Sequence, residues 1–434
     1  MKIIVINRYF FPDSSATSQL ASTLAFALAT AGWDVNVLTS GQLYGDSTAA
    51  LGRLERAHGV AIHRLWTSRF GRRNLLGRLF DYVTFYGGVF LWLLIRARPG
   101  DIFITLTDPP LLAVVSSAVA TLRRCKQINW LQDLFPEVAY SLGVLTPTVA
   151  HRILVGLRNL TLRHADMNVA ISERMLGYVR SQGVQRSRSV AIHNWSDGRE
   201  VYPREPDQNP LRSDWGLQGK FVIGYAGNLG RAHELETILD AAKLLAQDDG
   251  IQFLFVGDGH LFTSLKEQVR RHALGNVSIR PYQPRARLSD TLSVPDVHLI
   301  SLKPALESFI MPSKLYGILA AGRPVFFVGD SDGEIPGILQ RADCGVGISI
   351  GDGSSLARQI ADLRQNLAQR ERWGRNARML LERNFDQALI IPHWLRLVAN
   401  VAAASPNSRG NRIRSRSRRL TLLRHEAHRS PRDL

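Results

Sequence analysis

A lysine stands where an apolar run leaves little room for charge. In the stretch ESFIMPSKLYGILAAGRPV, from Glu307 to Val325, Pro312, Ser313 and Lys314 open a series of apolar and small residues. An unpaired ammonium is costly to bury and sheds its proton when nothing compensates it. Pro312 sets φ for a helix start and Ser313 suits its cap, so Lys314 falls in a first turn, where a cation is unfavourable unless an anion sits beside it. Two readings are open: Lys314 faces a phosphate, or its stem lies along the apolar surface with the ammonium in water.

Other stretches carry groups suited to the same chemistry. In GNLGRAHELETIL, Gly227 to Leu239, two glycines flank Asn228 and Leu229 and are followed by Arg231 and His233. Small residues let a phosphate approach the backbone and Arg231 can neutralise it, although such a strand-to-helix turn is often only a turn. In YFFPDSSATSQL, Tyr9 to Leu20, Ser14 and Ser15 could offer N–H groups to a ligand, or Asp13 or Ser14 simply caps a helix. In NWLQDLFPEVAYSLGVL, Asp133 ends a hydrophobic run and Glu137 follows four residues later. A carboxylate at the carboxyl end of a strand can bind or deprotonate a hydroxyl; capping of a helix begun by Pro136 is the alternative.

The elements that must position these groups alternate regularly. KIIVIN reads as a buried strand, the helix after it carries Leu20, Leu24 and Leu28, Gly32 closes it, and DVNVLTS is the next strand. Strand-like runs recur at 101–107, 127–133, 167–172 and 189–194, with helical segments between them. Residues 194–215 lapse into Pro, Asp, Asn and Gly, as a linker does. A second cycle has strand runs at 221–227, 252–259, 277–282, 297–302, 324–329 and 345–350. The pattern predicts an α/β chain of two Rossmann-like, doubly wound parallel-sheet domains facing across a cleft, with ligands beyond the carboxyl ends of the strands. The expected units are an N-terminal domain over 1–198, a C-terminal domain over 199–385 and a helix over 386–404 returning to the first domain. An Arg-rich tail over 405–434 has too little apolar area to order itself.

Bulk composition narrows the classes. The chain has 434 residues, a hydrophobic content of 45% and a formal charge of +17, which suits two cores and an anionic partner. Cys125 and Cys344 stand far apart with no partners at metal-ligand spacing, so neither a disulfide framework nor a zinc site is indicated and a reducing, cytoplasmic setting fits. The N-terminus lacks the pattern of a signal peptide. The longest apolar stretch, Tyr82 to Ile95, falls short of the roughly 20 residues a spanning helix needs. Just before it, RLWTSRFGRRNLLGRLF, Arg64 to Phe80, alternates Arg with Trp, Phe and Leu, which suits an anionic membrane surface or a packed helix with a solvated basic face. A nucleic-acid-binding role is weakened because the basic tail lacks interleaved aromatics.

Taken together, QDLFPE at 132–137, YAGNLGRAHELETILDAA at 225–242, FVGDG at 255–259 and MPSKLYGILAAGRPV at 311–325 resemble the retaining GT-B nucleotide-sugar glycosyltransferases of the group-one family, in the colanic-acid and fucosamine-transferase-like branch. The resemblance covers about residues 1 to 400. It implies transfer of a hexosyl or acetamidohexosyl group from a nucleoside-diphosphate sugar to a lipid-linked glycan acceptor, with retention and with no metal or cofactor, at the cytoplasmic membrane face in bacterial polysaccharide synthesis. By that likeness, Glu307 orients the donor sugar and Asp133 serves the acceptor. Gly227, Asn228, Arg231, His233, Ser313 and Lys314 surround the diphosphate, with Ser14 and Ser15 approaching from the other domain. The pattern departs in three places: Gly317 stands where a ribose-binding glutamate is usual, and Asn228 and His233 stand where the family's arginine and lysine do. A nucleotide-sugar 2-epimerase of similar fold is the rival enzyme.

Overall fold

The structure is a computed structural model that describes residues 1–404 apart from 47, 50, 72–74 and 147, so the tail over 405–434 lies outside the described residues, as do Arg72 and Arg73. The N-terminal half contributes β1 (Lys2–Ile6), β2 (Asp34–Ser40), β3 (Leu54–Ala57), β4 (Val60–Leu65), β5 (Ile102–Thr105), β6 (Lys126–Leu131), β7 (Met167–Ala170) and β8 (Ser189–Ala191). They form one sheet in the order β3-β4-β2-β1-β5-β6-β7-β8, in which only β3 against β4 is antiparallel. The second sheet comprises β9 (Phe221–Ala226), β10 (Ile251–Val256), β11 (Val277–Arg280), β12 (Val297–Ser301), β13 (Val325–Gly329) and β14 (Gly345–Ser349). Its order is β11-β10-β9-β12-β13-β14, all parallel. The apolar runs KIIVI, IFIT and IQFLFV are buried along almost their whole length because helices cover both faces of each sheet.

Chain order reverses direction at β1, between β2 and β5, and at β9, between β10 and β12. Loops leaving neighbouring strands on opposite sides of the sheet open a crevice at such points, where open α/β sheets take their ligands. The Ser14 loop follows β1, and the Gly227 loop and the segment reaching Lys314 follow β9 and β12.

Two features differ from the sequence reading. The β3–β4 hairpin is too polar to register as strands; it turns through His58 and Gly59, both at positive φ. It also takes Arg64 out of the basic surface segment, because Arg64 is buried, pairs with Glu55 at 2.6 Å and donates to the Phe11 carbonyl at 2.9 Å. The apolar run at 82–95 belongs to a longer helix, Leu75–Arg96, of which Leu76–Arg96 has the length and composition to cross a membrane. Phe85, Val89 and Leu93 on one face of that helix are fully buried against Ile4, Ile6 and Leu38 of the sheet. Asp81 anchors it, accepting from Arg8 at 3.3 Å, Ser68 at 2.7 Å and the Gly71 amide at 3.0 Å. That face belongs to the fold, while Leu79, Phe80, Val83, Leu91 and Ile95 elsewhere on the helix are exposed.

The chain crosses between the sheets twice, side by side: the Ser196 amide donates to the Phe385 carbonyl at 3.3 Å and the Gln387 amide to the Ser196 carbonyl at 3.0 Å. Helix Gln387–Ala403 then packs on the first domain, with Trp394 4.6 Å from Trp130. Lys126 donates to the Val401, Ala402 and Ala404 carbonyls at 2.7–2.8 Å, a cation placed at the negative end of the helix.

Candidate active site

The Lys314 ammonium reaches the loop after β9 and meets neutral groups there. It donates to the Tyr225 hydroxyl at 2.5 Å and to the Asn228 carbonyl at 2.7 Å, and lies 4.3 Å from the Tyr225 ring centre. The third neighbour is His233 Nε2 at 3.3 Å. Because His233 Nδ1 lies 2.6 Å from the Ser301 carbonyl and must donate to it, Nε2 is the acceptor facing Lys314. Burial, and then the charge of Lys314, hold His233 down to about 3, so the ring is neutral. Burial lowers Lys314 itself to about 7. Among the described residues no carboxylate pairs with it within 4 Å.

Glycines make this approach possible. Gly227 has φ +117°, and a Cβ there would lie 2.9 Å from Lys314 Cε. The FVGDG turn closes behind: a Cβ on Gly257 would lie 2.3 Å from the Gly227 carbonyl oxygen, and one on Gly259 2.5 Å from Asn228 Oδ1. Arg231 is exposed on the same loop and makes no ion pair among the described residues. Ser313 is exposed at the cap position of helix Lys314–Ala320, but its hydroxyl makes no capping bond. Gly317 faces Leu292, whose Cδ1 would sit 3.1 Å from an added Cβ, so its side of the helix is packed rather than open.

Glu307 is 6% exposed. Its Oε2 accepts from the Glu334 amide at 3.2 Å, while Oε1 is buried without a partner. Burial is the first cause raising its pKa, offset in part by that amide. Asp133 lies where the domains meet: it bridges to Ile310, and the Leu134 amide donates to the Phe309 carbonyl at 3.0 Å. Its carboxylate stays open to water from the cleft yet is ringed by protein, and this desolvation, with Asp108 nearby, pushes it up to about 6. A cavity beside it is lined by Thr105, Asn129, Phe135, Arg158 and Leu162.

Two expected residues are otherwise engaged. Glu137, expected at the substrate, is a buried partner of Arg158 and accepts from the Tyr178 hydroxyl at 2.6 Å, so the structure gives it a packing role inside the first domain. Ser15 donates through its amide and hydroxyl to Asp13 Oδ1, at 2.8 and 2.5 Å, and Asp13 Oδ2 accepts from the Tyr44 amide at 2.5 Å. Helix Ala16–Thr30 therefore starts without a side-chain cap, leaving its first amides uncapped beside the β1 crevice, with Ser14 exposed next to them. Sequence reasoning missed Tyr225, which read as a strand residue, and Glu334, whose sequence context DGEIP signals only a helix start. Among the described residues no group of three or more His, Cys, Asp or Glu is placed to hold a metal ion.

Comparison with known proteins finds matches to both halves of the chain. A glycosyl transferase 4-like domain matches residues 17–195 and a glycosyl transferases group 1 domain matches residues 207–380. The chain is 29% identical over 269 residues to a glycosyltransferase designated WbjE of Pseudomonas aeruginosa, covering 62% of this chain and 67% of that protein. It is 24% identical over 409 residues to a colanic acid biosynthesis glycosyl transferase designated WcaI of Escherichia coli K12, covering 91% and 99%. Sucrose-phosphate synthase from Thermosynechococcus elongatus shares its fold with a TM-score of 0.73 at 17% identity, over 93% of this chain and 100% of that one. Anabaena HepE in complex with UDP and glucose does so with a TM-score of 0.69 at 16% identity, over 92% and 99%.

Proposed function

The chain belongs to the group 1 glycosyltransferases, and from that premise we propose that it moves a sugar from a nucleoside diphosphate to a lipid-linked glycan with retention, in bacterial polysaccharide synthesis. The observation that carries the donor site is the Lys314 ammonium among neutral partners at the β9/β12 crevice. A diphosphate there supplies the missing anion. Lys314, Arg231 and the amides near Ser313 and Asn228 stabilise the departing diphosphate, whose developing charge meets fixed donors without reorganisation. Lys314 thus takes over, from the far side of the crevice, the charge that Asn228 and His233 do not carry. Glu307 Oε1, buried and unpartnered, accepts a hydroxyl of the donor sugar. Asp133, across the cleft, binds the acceptor hydroxyl and draws its proton as the new bond forms. The domains close around both substrates and exclude water.

The acceptor's lipid fits the free face of the first domain. Leu79, Phe80, Val83, Leu91 and Ile95 are exposed along helix Leu75–Arg96, and Val149, Ile153 and Leu160 along helix Val149–His164. Helix Leu112–Arg123 lies between the two and touches both. Across 64–100, 111–125 and 144–164 the sole acidic residue is Asp81, which is fully buried, so the charged rim of these apolar stripes is basic. An apolar stripe with a cationic rim lies on an anionic bilayer with its cations at the headgroups.

Titration calorimetry against UDP, GDP, ADP and inorganic phosphate tests the donor site. Micromolar binding of one nucleoside diphosphate, weakened by about one to two orders of magnitude in Lys314→Met, is expected; no binding to any of them overturns the reading. Free sugar or an epimer as the product, in place of a glycosylated acceptor, would identify the rival epimerase.

A further inference from the structure

The structure holds a contact between the domains that the transfer reaction as described does not use. Glu334 begins helix Glu334–Ala342 after β13, and its carboxylate crosses to the first domain. There its two oxygens accept from the amides of Glu173 at 2.9 Å and Arg174 at 2.8 Å, the first residues of helix Glu173–Ser181 after β7. Arg174 answers in the opposite direction, with its guanidinium 3.3 Å from Asp330 and donating to the Asp332 carbonyl. The same Glu334 gives its backbone amide to Glu307.

We propose that Glu334 is a positioning residue for transfer: its carboxylate clasps the first domain's helix N-terminus while its amide holds Glu307, so that the residue that places the donor-sugar carboxylate also holds the cleft closed. A carboxylate on two otherwise orphaned helix amides is a charge-assisted pair at the positive end of a dipole, stronger than the part-exposed Arg174–Asp330 pair beside it. Separation of the domains breaks both Glu334 contacts with helix Glu173–Ser181 but leaves Glu334 to Glu307 intact, since both belong to the second domain. Glu307 Oε1 remains free for its ligand, as the buried, unpartnered oxygen requires. The role of Glu307 rests on the proposed function; the clasp itself does not.

The test is Glu334→Ala in the full chain, read by small-angle X-ray scattering and by steady-state kinetics, with Glu334→Gln, which keeps one acceptor, as the graded variant. Expected are a larger radius of gyration for Glu334→Ala, a fall in kcat of about tenfold or more, UDP affinity within twofold of wild type, and an intermediate Glu334→Gln. If Glu334→Ala does not fold, Arg174→Ala, which removes the reciprocal half, is read in its place and shifts scattering in the same direction. An unchanged scattering profile overturns the clasp even if the enzyme proves to have another substrate. Scattering that changes while kcat does not retains the clasp and overturns its part in transfer.

Discussion

Donor binding by this protein is expected to take up a proton above neutrality. Burial holds Lys314 at about 7, so at pH 8 roughly nine in ten free molecules carry a neutral amine there. A diphosphate beside the nitrogen favours the charged form and raises its pKa, so binding at pH 8 should take up about 0.9 proton, and at pH 6 only about 0.1 through this group. His233, held near 3 by burial and by Lys314, stays neutral throughout that range and contributes little. The assay is calorimetry of the best-binding nucleoside diphosphate in two buffers of different ionisation enthalpy, which returns the proton count as a slope. Lys314→Met should abolish the uptake and weaken affinity by one to two orders of magnitude, the worth of a charge-assisted bond of about 1.5–3 kcal/mol. The free protein should also gain stability as pH rises from about 7 toward the ordinary lysine range, because there the unfolded chain binds the proton that the folded one has lost. Tight binding at pH 8 with a proton count near zero would refute the reasoning, since an anion held by Lys314 has to recharge it.

Asp133 must be ionised to accept a proton, so kcat/KM should rise with pH through about 6, and Asp133→Asn should lower kcat by on the order of a hundredfold or more while leaving nucleotide affinity intact. Gly227→Ala should strain the backbone by about 1–3 kcal/mol and displace Lys314, seen as a lower melting temperature together with weaker nucleotide binding. Arg158→Met strands the buried Glu137 carboxylate and should cost about 3–5 kcal/mol of stability by denaturant titration; loss of activity with unchanged stability would instead return Glu137 to the substrate site. Serine at Leu79, Phe80 and Ile153 together should reduce sedimentation with anionic vesicles by tenfold or more without lowering the melting temperature, as these side chains are exposed.

The strands and their order of appearance were legible in the sequence because a strand covered on both faces is an unbroken apolar run between turn residues, a local signal. Gly227, Arg231 and Asp133 stood out as candidates because they follow such runs, and Lys314 because it opens an apolar helix. The polar hairpin Leu54–Leu65 escaped for the converse reason: Arg64 and Glu55 are stabilised by each other and by the sheet edge, which no local pattern announces. Partners were decided only by the tertiary structure. Lys314 meets Tyr225 across 89 residues of chain, and Glu334 meets Arg174 across 160. Nothing in either stretch alone encodes those meetings, because they follow from β9 and β12 lying side by side and from the two sheets facing one another. Glu137 shows the same limit from the other side: its place four residues after Asp133 is written in the sequence, but Arg158 and Tyr178 are brought to it only when helices Val149–His164 and Glu173–Ser181 pack, and that packing turned a candidate ligand into a buried ion pair.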